Sequence, residues 1–101
     1  MDYKISVTDL AVQDLDTIVE YISGELGNPT AASAFLDAVD ACYENLASMP
    51  LMFERCRNPR LRDLGYRRAV IKHYVMVYRV AESEHTVYTV SYTHLTLPTN
   101  R

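Results

Sequence analysis

The chain has 101 residues, enough for one domain with a single modest core and no second one. Its hydrophobic share of 49% and charged share of 23% are ordinary for a globular protein and argue against disorder. The formal net charge of −3 hides an asymmetry, because residues 1–50 carry nine acids and one lysine (−8) while residues 51–101 carry nine bases and four acids (+5). An acidic half joined to a basic half suggests two surfaces with different partners, or simply solvated acidic helix faces. No apolar run approaches the roughly 18 residues of a membrane span, so no membrane partner is expected. Met1-Asp2-Tyr3-Lys4 is not the basic-then-apolar start of a signal peptide, so the expected compartment is the cytoplasm.

Tyr3-Lys4-Ile5-Ser6-Val7 alternates apolar and polar and predicts a short strand. Thr8 is placed to cap a helix, with Asp9 in its first turn where the helix dipole favours an acid. Ala11, Leu15, Ile18, Val19, Ile22 and Leu26 form one apolar stripe at helical spacing, and Gly24 and Gly27 loosen its end. Asn28-Pro29 predicts the start of a second helix, Asn28 capping and Pro29 in the first turn, where its missing N–H costs nothing. Ala32, Phe35, Leu36, Val39, Tyr43 and Leu46 make its expected buried stripe, and Met49-Pro50 ends it. The short link predicts an antiparallel helical hairpin.

Residues 51–64 are expected to be a basic loop carrying Arg55, Arg57, Arg60 and Arg62, with Asn58-Pro59 and Asp63 as turn formers. Cys42 sits in the helical pattern as a small hydrophobe, whereas Cys56 lies in the basic loop, where a thiol can be exposed. The two cysteines fit no metal spacing or disulfide framework. Gly65 to Val80 is rich in β-branched and aromatic residues and predicts two antiparallel strands reversing near Lys72-His73. The first strand is placed at 66–72, so strand parity puts Tyr66, Arg68, Val70 and Lys72 on one face. Glu82-Ser83-Glu84 is the next turn, and His85-Thr86-Val87-Tyr88-Thr89-Val90 alternates as a last strand. The order strand, helix, helix, strand, strand, strand predicts an α+β fold with both helices on one face of a small, mainly antiparallel sheet.

In combination, these pieces resemble the RelE/ParE superfamily of bacterial type II toxin–antitoxin toxins. The residues concerned are Tyr3 to Thr8 leading into Ala11, Asp14 and Leu15; Tyr21-Ile22; Asn28-Pro29 with Ala31-Ala32 and Phe35-Leu36; Leu46 with Pro50; Leu64-Gly65-Tyr66-Arg67; and Tyr74 to Val80 followed by Thr86-Val87-Tyr88. The resemblance covers residues 3 to about 89 and implies a toxin domain over residues 1–89. It implies a toxin neutralised by a cognate antitoxin, whose tail lies in a groove between helices and sheet or adds along a sheet edge. RelE-like members cut mRNA in the ribosomal A site, and ParE-like members poison DNA gyrase, so the target is ribosome and mRNA or gyrase. The favoured expectation is translation inhibition by ribosome-dependent mRNA cleavage, an endoribonuclease activity. A gyrase poison without catalysis and a degenerate, non-toxic antitoxin-binding module are the alternatives. Residues 90–101, Val90-Ser91-Tyr92-Thr93-His94-Leu95-Thr96-Leu97-Pro98-Thr99-Asn100-Arg101, depart from the family and resemble a translated sequencing adapter, so they are read as a non-native tail in which His94 and Pro98 have no function.

Cleavage of the RelE type is an attack by a ribose 2′-OH on its own phosphate, and it needs cations to stabilise the pentavalent charge. In the RelE pattern cations sit on the strand placed at 66–72, and an arginine follows the tyrosine of the next strand. Arg68 matches one of these positions, while Tyr66 and Val75 stand where cations are expected. The resemblance therefore leaves Arg68 as the catalytic candidate and Arg67, Arg68 and Lys72 as candidates for target or phosphate binding. The bland alternative is that these cations decorate the solvent face of the sheet. His73 falls at a turn, and Tyr74 and Tyr78 can stack on bases or pack in the core. No Gly-rich phosphate loop, Ser/His/Asp set or metal-ligand cluster is present, so neither a cofactor nor a metal is implied.

Overall fold

The computed structural model describes residues 2–95. Strand β1 (Lys4–Val7) opens the chain, and Val7 feeds directly into helix α1 (Asp9–Glu20) through Thr8. Thr8 is the junction its sequence position predicts. Its Oγ1 accepts from the Ala11 N–H at 3.2 Å and donates to the Val90 carbonyl at 2.9 Å. Helix α1 widens into a π turn over Tyr21–Glu25. There the Asn28 N–H reaches the Ile22 carbonyl, and the Asn28 side chain caps helix α2 (Pro29–Ser48) at the Ala31 N–H, 3.0 Å away.

Ala32, Phe35, Val39, Cys42 and Leu46 are buried along α2, the i, i+3, i+4 spacing of a single helix face. Leu36 is not part of it. It lies about 100° further round the helix than Phe35, is 39% exposed, and turns away from the sheet. Leu26, placed last in the α1 stripe, is also exposed, because the chain has already left the helix there.

The segment expected to be an irregular loop is more ordered than its composition suggests. It contains helix α3 (Pro59–Asp63), capped by the Asn58 side chain, which accepts from the N–H groups of Arg60 and Leu61 at 2.9 and 3.3 Å. Just before it, residues 54–56 lie along the sheet edge. The Arg68 N–H donates to the Glu54 carbonyl and the Cys56 N–H to the Tyr66 carbonyl. That pairing corrects the expectation for Cys56, which is buried rather than exposed.

Strands β2 (Arg67–Ile71), β3 (Tyr74–Ala81) and β4 (Thr86–His94) complete a sheet ordered β1-β4-β3-β2. The β2–β3 and β3–β4 pairs are antiparallel, and β1 runs parallel to β4. Ala69, Ile71, Tyr74, Met76, Tyr78, Val87 and Tyr92 join the helix stripes in one core. The β3–β4 register shifts at Val77/Tyr78: Val77 faces Ser91 and Tyr78 faces Thr89, which leaves Val90 as the extra residue of a bulge. The bulge frees the Val90 carbonyl that Thr8 uses. Strand β4 runs four residues past Val90, where the sequence alternation was expected to end. Over this stretch Tyr92 is buried, its hydroxyl bonds that of Tyr43, and its N–H donates to Asp14 Oδ2 at 3.0 Å. Pro98 lies outside the described residues. No helix among the described residues is long and apolar enough to cross a membrane.

Candidate functional site

The three cations singled out by sequence do not share a surface. Arg67 and Arg68 are successive strand residues, so they point to opposite faces of the sheet. Arg67 pairs across the ladder with Tyr78, on the helix-covered side. Its guanidinium donates to the Phe53 carbonyl at 2.6 Å, close to where the Tyr78 hydroxyl donates to the Pro50 carbonyl at 3.1 Å. The Phe53 ring meets the Tyr78 ring edge-on at 6.4 Å. Arg67 and Tyr78 thus fasten residues 50–53 to the sheet. Burial pushes the Tyr78 phenol up to about 12, against the smaller opposing effect of the Arg67 charge.

Arg68 faces the open side beside Val77, but its side chain is only 17% exposed. Its guanidinium Nη1 lies 3.0 Å from Glu54 Oε2, and the same carboxylate has Arg57 at 3.8 Å. Burial raises the neighbouring Cys56 thiol, and the Arg68 charge works the other way. Lys72 is not on the strand at all. Strand β2 ends at Ile71, and Lys72 occupies the hairpin turn with φ of 57°, the left-handed region. The parity argument that placed Lys72 beside Arg68 therefore fails: the turn rotates the chain before a further strand position is reached. His73 is in the same turn, as its sequence position suggested.

Tyr66 is half-buried, and Val75 is buried under the open face, so the expected cation positions carry an aromatic and an aliphatic side chain. A further arginine on this face escaped the sequence reading. The Arg79 guanidinium carbon sits 4.6 Å from the centre of the Tyr88 ring, a cation–π contact made possible by the register partners Arg79 and Tyr88. Their meeting is set by the β3–β4 register, which no local sequence pattern signals. Among the described residues no group of three His, Cys, Asp or Glu side chains is disposed to hold a metal ion.

Two marked concavities lie elsewhere, at the end of the sheet where α1 gives way to the π turn. Two adjoining hollows of about 480 and 420 Å³ share Tyr21, Tyr74 and His94. The Phe35 and Tyr74 rings tilt together at 5.2 Å, and the His94 ring stands edge-on to Tyr74 at 5.1 Å. Lys72 and His73 form one rim, and Asp14 closes the other end. This is an aromatic groove between helices and sheet. It suits an apolar polypeptide segment better than a phosphodiester, because it offers one cation and no matched acid–base pair.

Two solved structures share the architecture. The toxin–antitoxin complex RelBE2 of Mycobacterium tuberculosis contains a chain 21% identical, with a TM-score of 0.65 over 93% of this chain and 92% of that one. The chromosomal ParDE toxin–antitoxin system of P. aeruginosa contains one 16% identical, with a TM-score of 0.72 over 93% and 97%. The chain thus shares with both the fold of a strand, a helical hairpin and a mainly antiparallel sheet. No curated protein sequence matches significantly. The family model for the ParE toxin of the type II toxin–antitoxin system parDE matches residues 5–93, nearly the whole chain. The chain belongs to the ParE toxin family.

Proposed function

We propose that this chain is the toxin of a type II toxin–antitoxin pair, held inactive by an antitoxin segment in the aromatic groove. We further propose that, when free, it acts by binding a DNA gyrase target and not by cutting mRNA. The observation that carries this reading is the state of Arg68. The sole strand cation matching the RNA-cutting pattern is largely covered and committed to Glu54. Its expected companions are replaced by Tyr66 and Val75. A cleavage site needs preorganised positive charge aimed at the developing phosphorane, and neutralised, dispersed cations supply little of it. The match to the ParE toxin model and the two toxin–antitoxin neighbours support the toxin–antitoxin part of this reading.

The test is induction of the full chain in cells carrying a reporter plasmid. The expected result is gyrase-linked DNA breaks with full-length mRNA. Site-specific cuts in translated mRNA without DNA breaks overturn the gyrase reading and restore the endoribonuclease. Antitoxin binding with neither effect identifies a degenerate, non-toxic binding module.

A further inference from the structure

The helical hairpin has a second face, turned away from the sheet, that the aromatic groove does not use. Between Lys4 and Arg55 the chain contains no lysine or arginine, yet α1, its π turn and α2 carry Asp9, Asp14, Asp16, Glu20, Glu25, Asp37, Asp40 and Glu44. All of these except Asp14 are exposed. Among the described residues the ion pairs lie within residues 54–68, so the hairpin's acids are not neutralised by the basic half of the same molecule. An outer surface of one sign is kept apart from its complement at a cost in self-repulsion.

On this acidic surface runs an apolar groove. Val12, Leu15 and Val19 from α1 and Leu36 from α2 line it, with Asp16 and Glu20 along its edge. Val12 is 45% exposed and Leu36 39% exposed. The spacing of Val12, Leu15, Asp16, Val19 and Glu20 puts all five on one side of α1, next to the buried Ala11-Ile18 side. An apolar strip with acids on its rim is complementary to a helix bearing an apolar stripe flanked by lysine or arginine.

We infer that this outer groove receives a basic amphipathic helix of the antitoxin, a second contact separate from the aromatic groove. The inference rests on the toxin–antitoxin reading above. It assigns the apolar residues to holding the helix and Asp16 and Glu20 to selecting its charge. An antitoxin whose corresponding helix is acidic is rejected by like-charge repulsion, so the groove discriminates among antitoxins of one fold.

The test uses the full chain and the antitoxin encoded beside it, with affinity measured by titration calorimetry at low and at high salt. Replacing both acids (Asp16→Lys with Glu20→Lys) is expected to weaken binding about tenfold or more at low salt, with a smaller loss at high salt, because the contact is screened beyond a Debye length of about 10 Å. Leu36→Ser is expected to weaken binding to a similar degree at both salts, because its contribution is apolar burial. All three positions lie on the outer surface, and unchanged thermal unfolding confirms that the variants fold. Lysine-to-glutamate changes on the antitoxin helix are expected to restore binding to the doubly substituted chain. Unaltered affinity of both variants overturns the outer groove while leaving the toxin–antitoxin reading intact. Failure of the unaltered chain to bind the antitoxin overturns that reading itself. A dimer of the chain alone that the same substitutions abolish makes a second copy the occupant and also overturns the inference.

Discussion

If Arg68 is held by Glu54 for structural reasons, its removal is a stability change before it is a functional one. The decisive perturbation is a double-mutant cycle of Arg68→Ala, Glu54→Ala and the two together. The pair joins a largely covered guanidinium to a carboxylate that is 59% exposed, at 3.0 Å. Water reaches one partner freely, so the coupling belongs near the top of the range for solvated pairs, about 1 kcal/mol, and not among the several kcal/mol of buried ones. Arg68→Ala alone is expected to cost more, about 1.5–2 kcal/mol, because its aliphatic stem also covers the sheet beside Val77. For a domain this small that is a fall in Tm on the order of 10 °C. Urea unfolding of the four proteins reads the coupling directly, provided the slope with denaturant stays constant. Growth arrest is then compared at a temperature where all four remain folded. Coupling of about 1 kcal/mol with arrest retained supports a clamp. Coupling near zero, with arrest abolished in Arg68→Ala alone, refutes the structural assignment and returns Arg68 to the target surface.

Three further outcomes follow from the core. Tyr78→Phe leaves the Pro50 carbonyl without its donor in a buried setting and is expected to cost about 1–2 kcal/mol in urea unfolding; no change there would mean that water replaces the hydroxyl. Phe35→Ala, at a side chain 2% exposed and tilted against the Tyr74 ring, is expected to cost about 3–5 kcal/mol, and a loss below about 1 kcal/mol would show that the groove collapses to fill the gap. Burial raises the Cys42 thiol from 9.0 to about 11 and the Tyr78 phenol from 10.0 to about 12. Both are raised acids, so the folded state holds their protons more tightly than the unfolded chain does. The stability they contribute is full below pH 9 and lost as pH rises through about 11 and 12. Unfolding midpoints are therefore expected to fall steeply above about pH 9, and Cys42→Ala is expected to flatten the first part of that fall. A flat profile would contradict the burial argument.

Local signals in the sequence were legible where one residue decides the backbone. Asn28-Pro29 marked a helix start correctly because an apolar stripe follows it. Asn58-Pro59 carries the same signature and also starts a helix, but the five residues after it have no buried face, so only a turn was read. The order of elements along the chain, most of the α2 core and the turn at His73 followed from periodicity and turn residues. Lys72 lies one residue past the end of β2, in the left-handed turn, where strand parity no longer fixes the face. The pairing of Arg68 with Glu54 spans 14 residues and depends on residues 54–56 lying along β2, which no local pattern reveals. Leu36 was assigned to the core because hydrophobicity at a near-stripe position does not say which of two helix faces has a neighbour. That ambiguity hid the outer groove.

The parallel pairing of β1 with β4 ties the first described strand to one made some eighty residues later in synthesis. While a nascent chain is still short of Thr86, Lys4–Val7 has no ladder to join, and the Thr8 contacts with Thr89 and Val90 do not exist. The helical hairpin then has no completed sheet to cover its apolar stripe. Such long-range closure makes folding slow and late relative to translation. A chain built this way completes its sheet only after residues 86–89 have been made.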